Sequence, residues 1–197
     1  MWNRLVEACA NALSLRRIRV HAFLIAVSLW PVFLWNYSTP GLLDRNGLLK
    51  GTDFLHFYTI GTLAREEHPN QLYDLHAQGK LATERVPEAK GLVYAPFYGP
   101  QIALLFAPFS ALSYGKAVAA WLLVNAFIYL GCCWLVWRAC PNLRENLGIV
   151  SLAALAYPAF FHLMVWGQTS GLALACFTLM RPRGAYVMFF LRPNSCN

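Results

Sequence analysis

Asp53 stands in the run Gly51-Thr52-Asp53-Phe54-Leu55-His56-Phe57-Tyr58, directly after a hydrophobic block. A carboxylate in that position can take the proton of an acceptor hydroxyl as a general base, given the right geometry. Gly51 permits close backbone approach, and His56 and Tyr58 fall on the following turn, where they are expected to reach the same substrate. Seven of the nine carboxylates lie between Asp44 and Glu88. A polar island beside lipid is costly to keep, so it is where chemistry is expected. The competing role for Asp53 is to cap its own helix or to serve as one of several solvated loop acids.

Other polar residues rank below it. Gln168 sits in Trp166-Gly167-Gln168-Thr169-Ser170, a break in a long apolar stretch. A glutamine there must find a partner, which a polar corner facing a cavity would supply, so it ranks second as a substrate-binding residue. Tyr73 and Tyr94 read first as interfacial aromatics and second as ligand contacts. Asp74 suits a solvated ion pair with Lys80, and Glu66 and Glu67 suit an exposed helix end. His21 and His162 lie within apolar segments. No two histidines have metal-ligand spacing, and Cys9, Cys132, Cys133, Cys140, Cys176 and Cys196 show no paired spacing of the metal or redox kind. No metal ligand is assigned and no cofactor is expected, although a divalent metal requirement stays open.

The elements that must position these residues are membrane elements. Of the 197 residues 58% are hydrophobic and 13% charged, against about a quarter charged in ordinary soluble domains. Residues 20–43 and 146–180 carry no Lys, Arg, Asp or Glu, and 97–137 carry Lys116 alone. Blocks approaching or exceeding about 20 residues span a bilayer. The net charge of +7 does not point to nucleic acid, because Arg4, Arg16, Arg17 and Arg19 cluster before the first block, as the positive-inside bias requires.

The expected organisation is a cytoplasmic amphipathic lead over 1–19, a first transmembrane span over 20–37 kinked at Pro31, and an extracytoplasmic loop over 38–96. Membrane segments over 97–180 and an atypical tail over 181–197 follow. The loop's aromatics argue against disorder. Thr52 or Asp53 is the expected N-cap of one loop helix, and Asn70 that of a second. The second presents Leu72, Leu75, Ala82 and Val86 on one face, as a helix resting on the membrane would. Residues 97–112 reach only about 24 Å as a helix, short of a hydrocarbon core of about 30 Å. If they cross, the Gly167-Gln168 corner faces the cytoplasm; if they re-enter, it shares a side with Asp53. Arg181 and Arg183 favour re-entry. The fold class is an all-α polytopic membrane protein of about 4–5 membrane segments with a helical extracytoplasmic loop after the first span.

A series of pieces resembles glycosyltransferase family 87. They are Gly51-Thr52-Asp53-Phe54 with Gly61, Gln71-Leu72-Tyr73-Asp74, Tyr94-Ala95-Pro96-Phe97, Leu104-Leu105-Phe106-Ala107-Pro108, Trp121 with Asn125, and Gly167-Gln168-Thr169-Ser170. The resemblance implies a GT-C-type membrane hexosyltransferase, mannosyltransferase-like, whose first outward loop carries the catalytic aspartate, here Asp53. The implied partners are a polyprenyl-phosphate sugar donor, a glycolipid or glycan acceptor outside the cytoplasm, and membrane lipids. Displacement at the anomeric carbon would invert it. His56, Tyr58, Tyr94 and Gln168 are the substrate-binding candidates, and Arg65, Lys80, Arg85 and Lys90 are available to a leaving phosphate. The implied location is the bacterial plasma membrane. Members of the family continue through more spans, so the tail from Arg181 reads as a truncated or frameshifted end that would leave the donor site incomplete. The alternatives are a non-catalytic membrane fragment and a small transporter subunit; transporters place ionisable groups at the bilayer midplane, where this chain has almost none.

Overall fold

In lipid every backbone N–H and C=O must be satisfied within its own segment, so apolar blocks fold as helices. The computed structural model describes residues 14–66, 68–95 and 97–180, with the backbone alone at 69 and 142. In chain order the helices are α1 (Leu15–Tyr37), α2 (Thr52–Arg65), α3 (Leu75–Arg85), α4 (Pro100–Phe106), α5 (Tyr114–Ala139), α6 (Pro141–Arg144), α7 (Leu147–Ala156), α8 (Pro158–Trp166) and α9 (Ser170–Met180). No strand occurs among the described residues; Leu43 and Leu49 form an isolated antiparallel bridge. The all-α membrane fold expected from the sequence is what the chain adopts.

Among the described residues two helices, α1 and α5, are long and apolar enough to cross a membrane, and α7 with α8, bent by 47°, makes a third if the pair is one span. Residues 97–112, expected either to cross or to re-enter, hold α4, which has seven residues. At 1.5 Å per residue it is about 10 Å long and cannot cross. Pro100 starts it and Pro108 follows its end, as proline chemistry favours. Helix α1 begins at Leu15, so it takes in Arg16, Arg17 and Arg19, and it continues through Pro31. Most of the expected amphipathic lead, together with the tail 181–197, Glu67 and Pro96, lies outside the described residues.

The chain divides into two compact units. One comprises Phe33–Ala126 and His162–Thr169, and its centre is α2. Every residue of α2 from Phe54 to Leu63 is buried. Phe54 and Phe106 pack against Trp121, with ring centroids 6.3 and 4.6 Å away, and Phe57 stacks on Phe106 at 4.9 Å. The polar island therefore contains a hydrophobic core. Helix α3 covers it with Gln78, Ala82 and Val86, while Leu75 of the expected membrane face stays exposed.

The caps differ from those expected. Gly51, not Thr52 or Asp53, is the N-cap of α2, and Asp74, not Asn70, is that of α3. The Asp74 carboxylate accepts from the backbone N–H groups of His76 and Ala77 at 2.9 and 3.1 Å, while Lys80 faces Glu84 at 3.9 Å. Asp74 is thus spent on helix geometry instead of an ion pair.

At Gly61 α2 packs directly against the backbone at the end of α4. A Cβ added there would lie 2.7 Å from the carbonyl carbon and oxygen of Phe106, and backbone cannot rotate away as a side chain can. Gly61→Ala is therefore expected to destabilise this unit by about 1–3 kcal/mol or more, read as a lower thermal midpoint in detergent; an unchanged midpoint would mean that the two helices slide apart freely.

The second unit comprises, of the described residues, 14–32, 127–161 and 170–180. Pro158 has no N–H to offer the carbonyl of Ala154 four residues earlier. The Tyr129 hydroxyl donates to that carbonyl at 2.7 Å, and Trp30 Nε1 donates to the neighbouring Leu155 carbonyl at 2.8 Å. Phe160 stacks on Tyr129 at 4.1 Å, nearly parallel. The backbone groups released at the break thus find side-chain partners, as lipid requires. Cys132, Cys133, Cys140 and Cys176 are free thiols.

Candidate active site

The turn between α1 and α2 is built by one aspartate. Asp44 Oδ1 accepts from the N–H groups of Asn46 and Leu48, both at 2.9 Å, and Oδ2 accepts from Asn36 Nδ2 at 2.8 Å. This hairpin delivers Gly51 with φ +64, a left-handed conformation that glycine adopts without a Cβ penalty. Three tyrosines then fix the backbone around it. Gly51 N–H donates to the Tyr37 hydroxyl at 3.2 Å, the Tyr114 hydroxyl reaches the carbonyls of Lys50 and Gly51, each at 3.0 Å, and the Tyr94 hydroxyl donates to the Thr52 carbonyl at 2.7 Å.

The polar corner is held in the same way. Gly167 has φ +68. Trp121 Nε1 donates to its carbonyl at 2.8 Å, Asn125 Nδ2 donates to the Gln168 carbonyl at 2.9 Å, and the Tyr37 hydroxyl donates to the Val165 carbonyl. Tyr37 thus grips both segments. They touch at their glycines: a Cβ on Gly167 would meet the Gly51 Cα at 3.6 Å and the Phe54 Cβ at 2.9 Å.

That contact places Gln168 against Asp53. Gln168 Nε2 donates to Asp53 Oδ2 at 3.0 Å; a carboxylate only accepts, so the amide nitrogen must face it. Asp53 is half-buried in the first turn of α2, where the helix dipole favours a negative charge. It makes no ion pair, and Oδ1 takes no hydrogen bond, among the described residues. The corner and the acid therefore adjoin.

Tyr94 and His56 complete the cluster. Burial first, and then the charge of Asp53, push the Tyr94 phenol up to about 12, so it remains a donor. His56 is one helical turn beyond Asp53 and 4% exposed, its ring 5.8 Å from that of Tyr94 and 5.6 Å from that of Tyr98. Burial pushes its imidazole below the usual histidine range, so the ring is neutral near pH 7. Tyr58 does not join them. Five residues from Asp53, it is rotated by about 140° around the helix, and its hydroxyl donates to the Leu112 carbonyl at 3.0 Å. Arg65 and Arg85 both engage Glu66, and Lys80 faces Glu84. Among the described residues no group of three or more His, Cys, Asp or Glu converges as a metal site would.

The clamp residues Tyr37 and Tyr114 escaped the sequence reading, because a tyrosine at a membrane helix end reads equally as an interfacial anchor. Trp121 and Asn125 carried one usable signal, their spacing of four on a single helix face.

Residues 97–188 match the sequence profile of glycosyltransferase family 87. Trp121, Asn125 and Gln168 fall inside that segment, while Asp53, His56 and Tyr94 precede it. No curated protein and no solved structure matches the chain.

Proposed function

We propose, from the match of residues 97–188 to glycosyltransferase family 87, that this chain is a membrane glycosyltransferase and that it transfers a mannose-like hexose from a polyprenyl phosphate to a glycolipid or glycan hydroxyl outside the cytoplasm. Asp53 is the general base. It takes the acceptor's proton as the acceptor oxygen bonds to the anomeric carbon from the face opposite the phosphate, and the bond from that carbon to the phosphate oxygen breaks. The products are an inverted glycoside and the polyprenyl phosphate. Gln168 holds one carboxylate oxygen and leaves the other for the acceptor. Tyr94 keeps the start of α2 in place and lines the site, and Tyr58 serves the packing.

One observation carries this reading: Asp53 is half-buried, free of any ion pair among the described residues, and oriented by a single amide donor at 3.0 Å. A carboxylate kept only for solubility needs no such partner, and one kept only as a cap would bond to its own helix, as Asp74 does. The bacterial plasma membrane, with the Asp53 loop outside, is the location this chemistry implies.

The test is the stereochemistry of transfer. Washed membranes containing the full chain are supplied with polyprenyl-phosphate mannose of known anomeric configuration and a mannoside acceptor. Nuclear magnetic resonance of the product is expected to show the opposite anomer. A retained configuration would remove direct backside displacement assisted by Asp53.

A further inference from the structure

His56 is the least satisfied polar side chain of the site. Among the described residues neither Nδ1 nor Nε2 has a hydrogen-bond partner, and both are shut off from solvent. Leaving buried polar atoms unpaired is destabilising, so an uncompensated pair calls for an explanation in function. The ring borders a slit whose walls include Leu72, Tyr73, Tyr98, Gly99 and Pro100. The walls stand too close to seat a water, so nothing the size of a hydroxyl enters until they part. The parts that must yield lie at the surface: Tyr73 is 55% exposed and Tyr98 40%, and neither belongs to a helix.

Resting on the functional reading above, we infer that this slit is a closed subsite for one sugar hydroxyl, and that His56 reads that hydroxyl when Tyr73 and Tyr98 separate. Chemistry selects the ligand. A neutral imidazole offers one donor and one acceptor, the pair that a hydroxyl, itself donor and acceptor, satisfies completely. A phosphate would be met by an acceptor nitrogen with no cation paired to it among the described residues. A metal would lack companion ligands among the described residues. The rings of Tyr94 and Tyr98 flank His56, and aromatic rings suit the apolar face of a pyranose. The position is right as well: three residues along α2 from Asp53 is a rise of about 4.5 Å on a neighbouring face. A sugar whose reacting centre is at Asp53 can therefore reach His56 with another of its hydroxyls. The same chemistry is present on the donor hexose and on the acceptor glycan.

Binding separates the two sources, and it is independent of proton transfer. The full chain in nanodiscs is titrated with polyprenyl-phosphate mannose and its 2-, 3-, 4- and 6-deoxy analogues, and in a second arm with methyl α-mannoside and its monodeoxy forms. One deoxy position, in one arm, is expected to bind about tenfold more weakly than its parent, the scale of a single neutral hydrogen bond. His56→Phe keeps an aromatic ring in place and removes both nitrogens, so it should weaken the parent sugar to the level of that deoxy analogue and abolish the difference. His56→Gln, which retains a donor and an acceptor, should restore part of it. Each ratio is taken within one variant, so a loss of folded protein cancels. Discrimination unchanged in His56→Phe overturns the inference and leaves the glycosyltransferase reading intact. Failure of the wild-type chain to bind any of these sugars overturns the functional reading, and this inference with it.

Discussion

Asp53→Asn is expected to reduce sugar transfer by roughly 10²- to 10⁴-fold, the usual contribution of a positioned general base, with the protein inserted and folded as before. The substitution is chosen because it isolates the proton. Asparagine has the shape of aspartate, and its carbonyl oxygen can still accept from Gln168 Nε2, so the 3.0 Å contact and the junction of corner and helix survive. The loss is the group's ability to bind a proton from the acceptor. Three described carboxylates of the same loop are committed elsewhere: Asp44 is occupied in the hairpin, Asp74 caps α3 and Glu66 sits between Arg65 and Arg85. The measurement is transfer from polyprenyl-phosphate mannose in washed membranes, normalised to folded protein by size-exclusion fluorescence. Transfer equal to wild type would remove Asp53 from the mechanism. A loss of folded protein parallel to the loss of transfer would assign it to structure.

Asp53 could be found in the sequence because a carboxylate following an apolar block is costly, and Gln168 because an amide breaking an apolar stretch needs a partner. That each is the other's partner could not be read, since 115 residues separate them and no local periodicity encodes the contact. Capping rules failed at α2 for a related reason: tertiary contact takes the Asp53 side chain, so the cap falls to Gly51 in a left-handed conformation. At α3 the rule was right in kind and wrong by four residues, because Asn70 lies in the short 3-10 turn Pro69–Gln71 and the helix begins only after Asp74. Residues 97–112 show the limit of composition. They are apolar enough for lipid, yet Gly99, Pro100 and Pro108 leave only one short helix between them. The aromatic content of 38–96 argued correctly against disorder but was assigned to a surface role, whereas burial makes α2 the core of its unit.

Gly167→Ala should damage both the fold and the chemistry, for separable reasons. At φ +68 a residue with a Cβ pays about 1–2 kcal/mol in conformation alone. The new methyl group would also stand 2.9 Å from the Phe54 Cβ and 3.6 Å from the Gly51 Cα, and Phe54 is wholly buried among Phe106, Phe109 and Trp121. Neither side can yield without moving either the start of α2 or the corner, and both movements pull Gln168 from Asp53. Displacement of about 1 Å at a reacting centre costs about 100-fold in rate, so transfer should fall to that extent while the thermal midpoint also drops. Gly41→Ala is the control. Gly41 has φ +83 with nothing within 4 Å of an added Cβ, so it carries the conformational cost without the collision, and its transfer rate should remain near wild type. In an Asp53→Asn background, Gly167→Ala should lower the residual rate only slightly, because the group it misplaces no longer acts. A full 100-fold loss in that background would mean that the corner positions something other than the base.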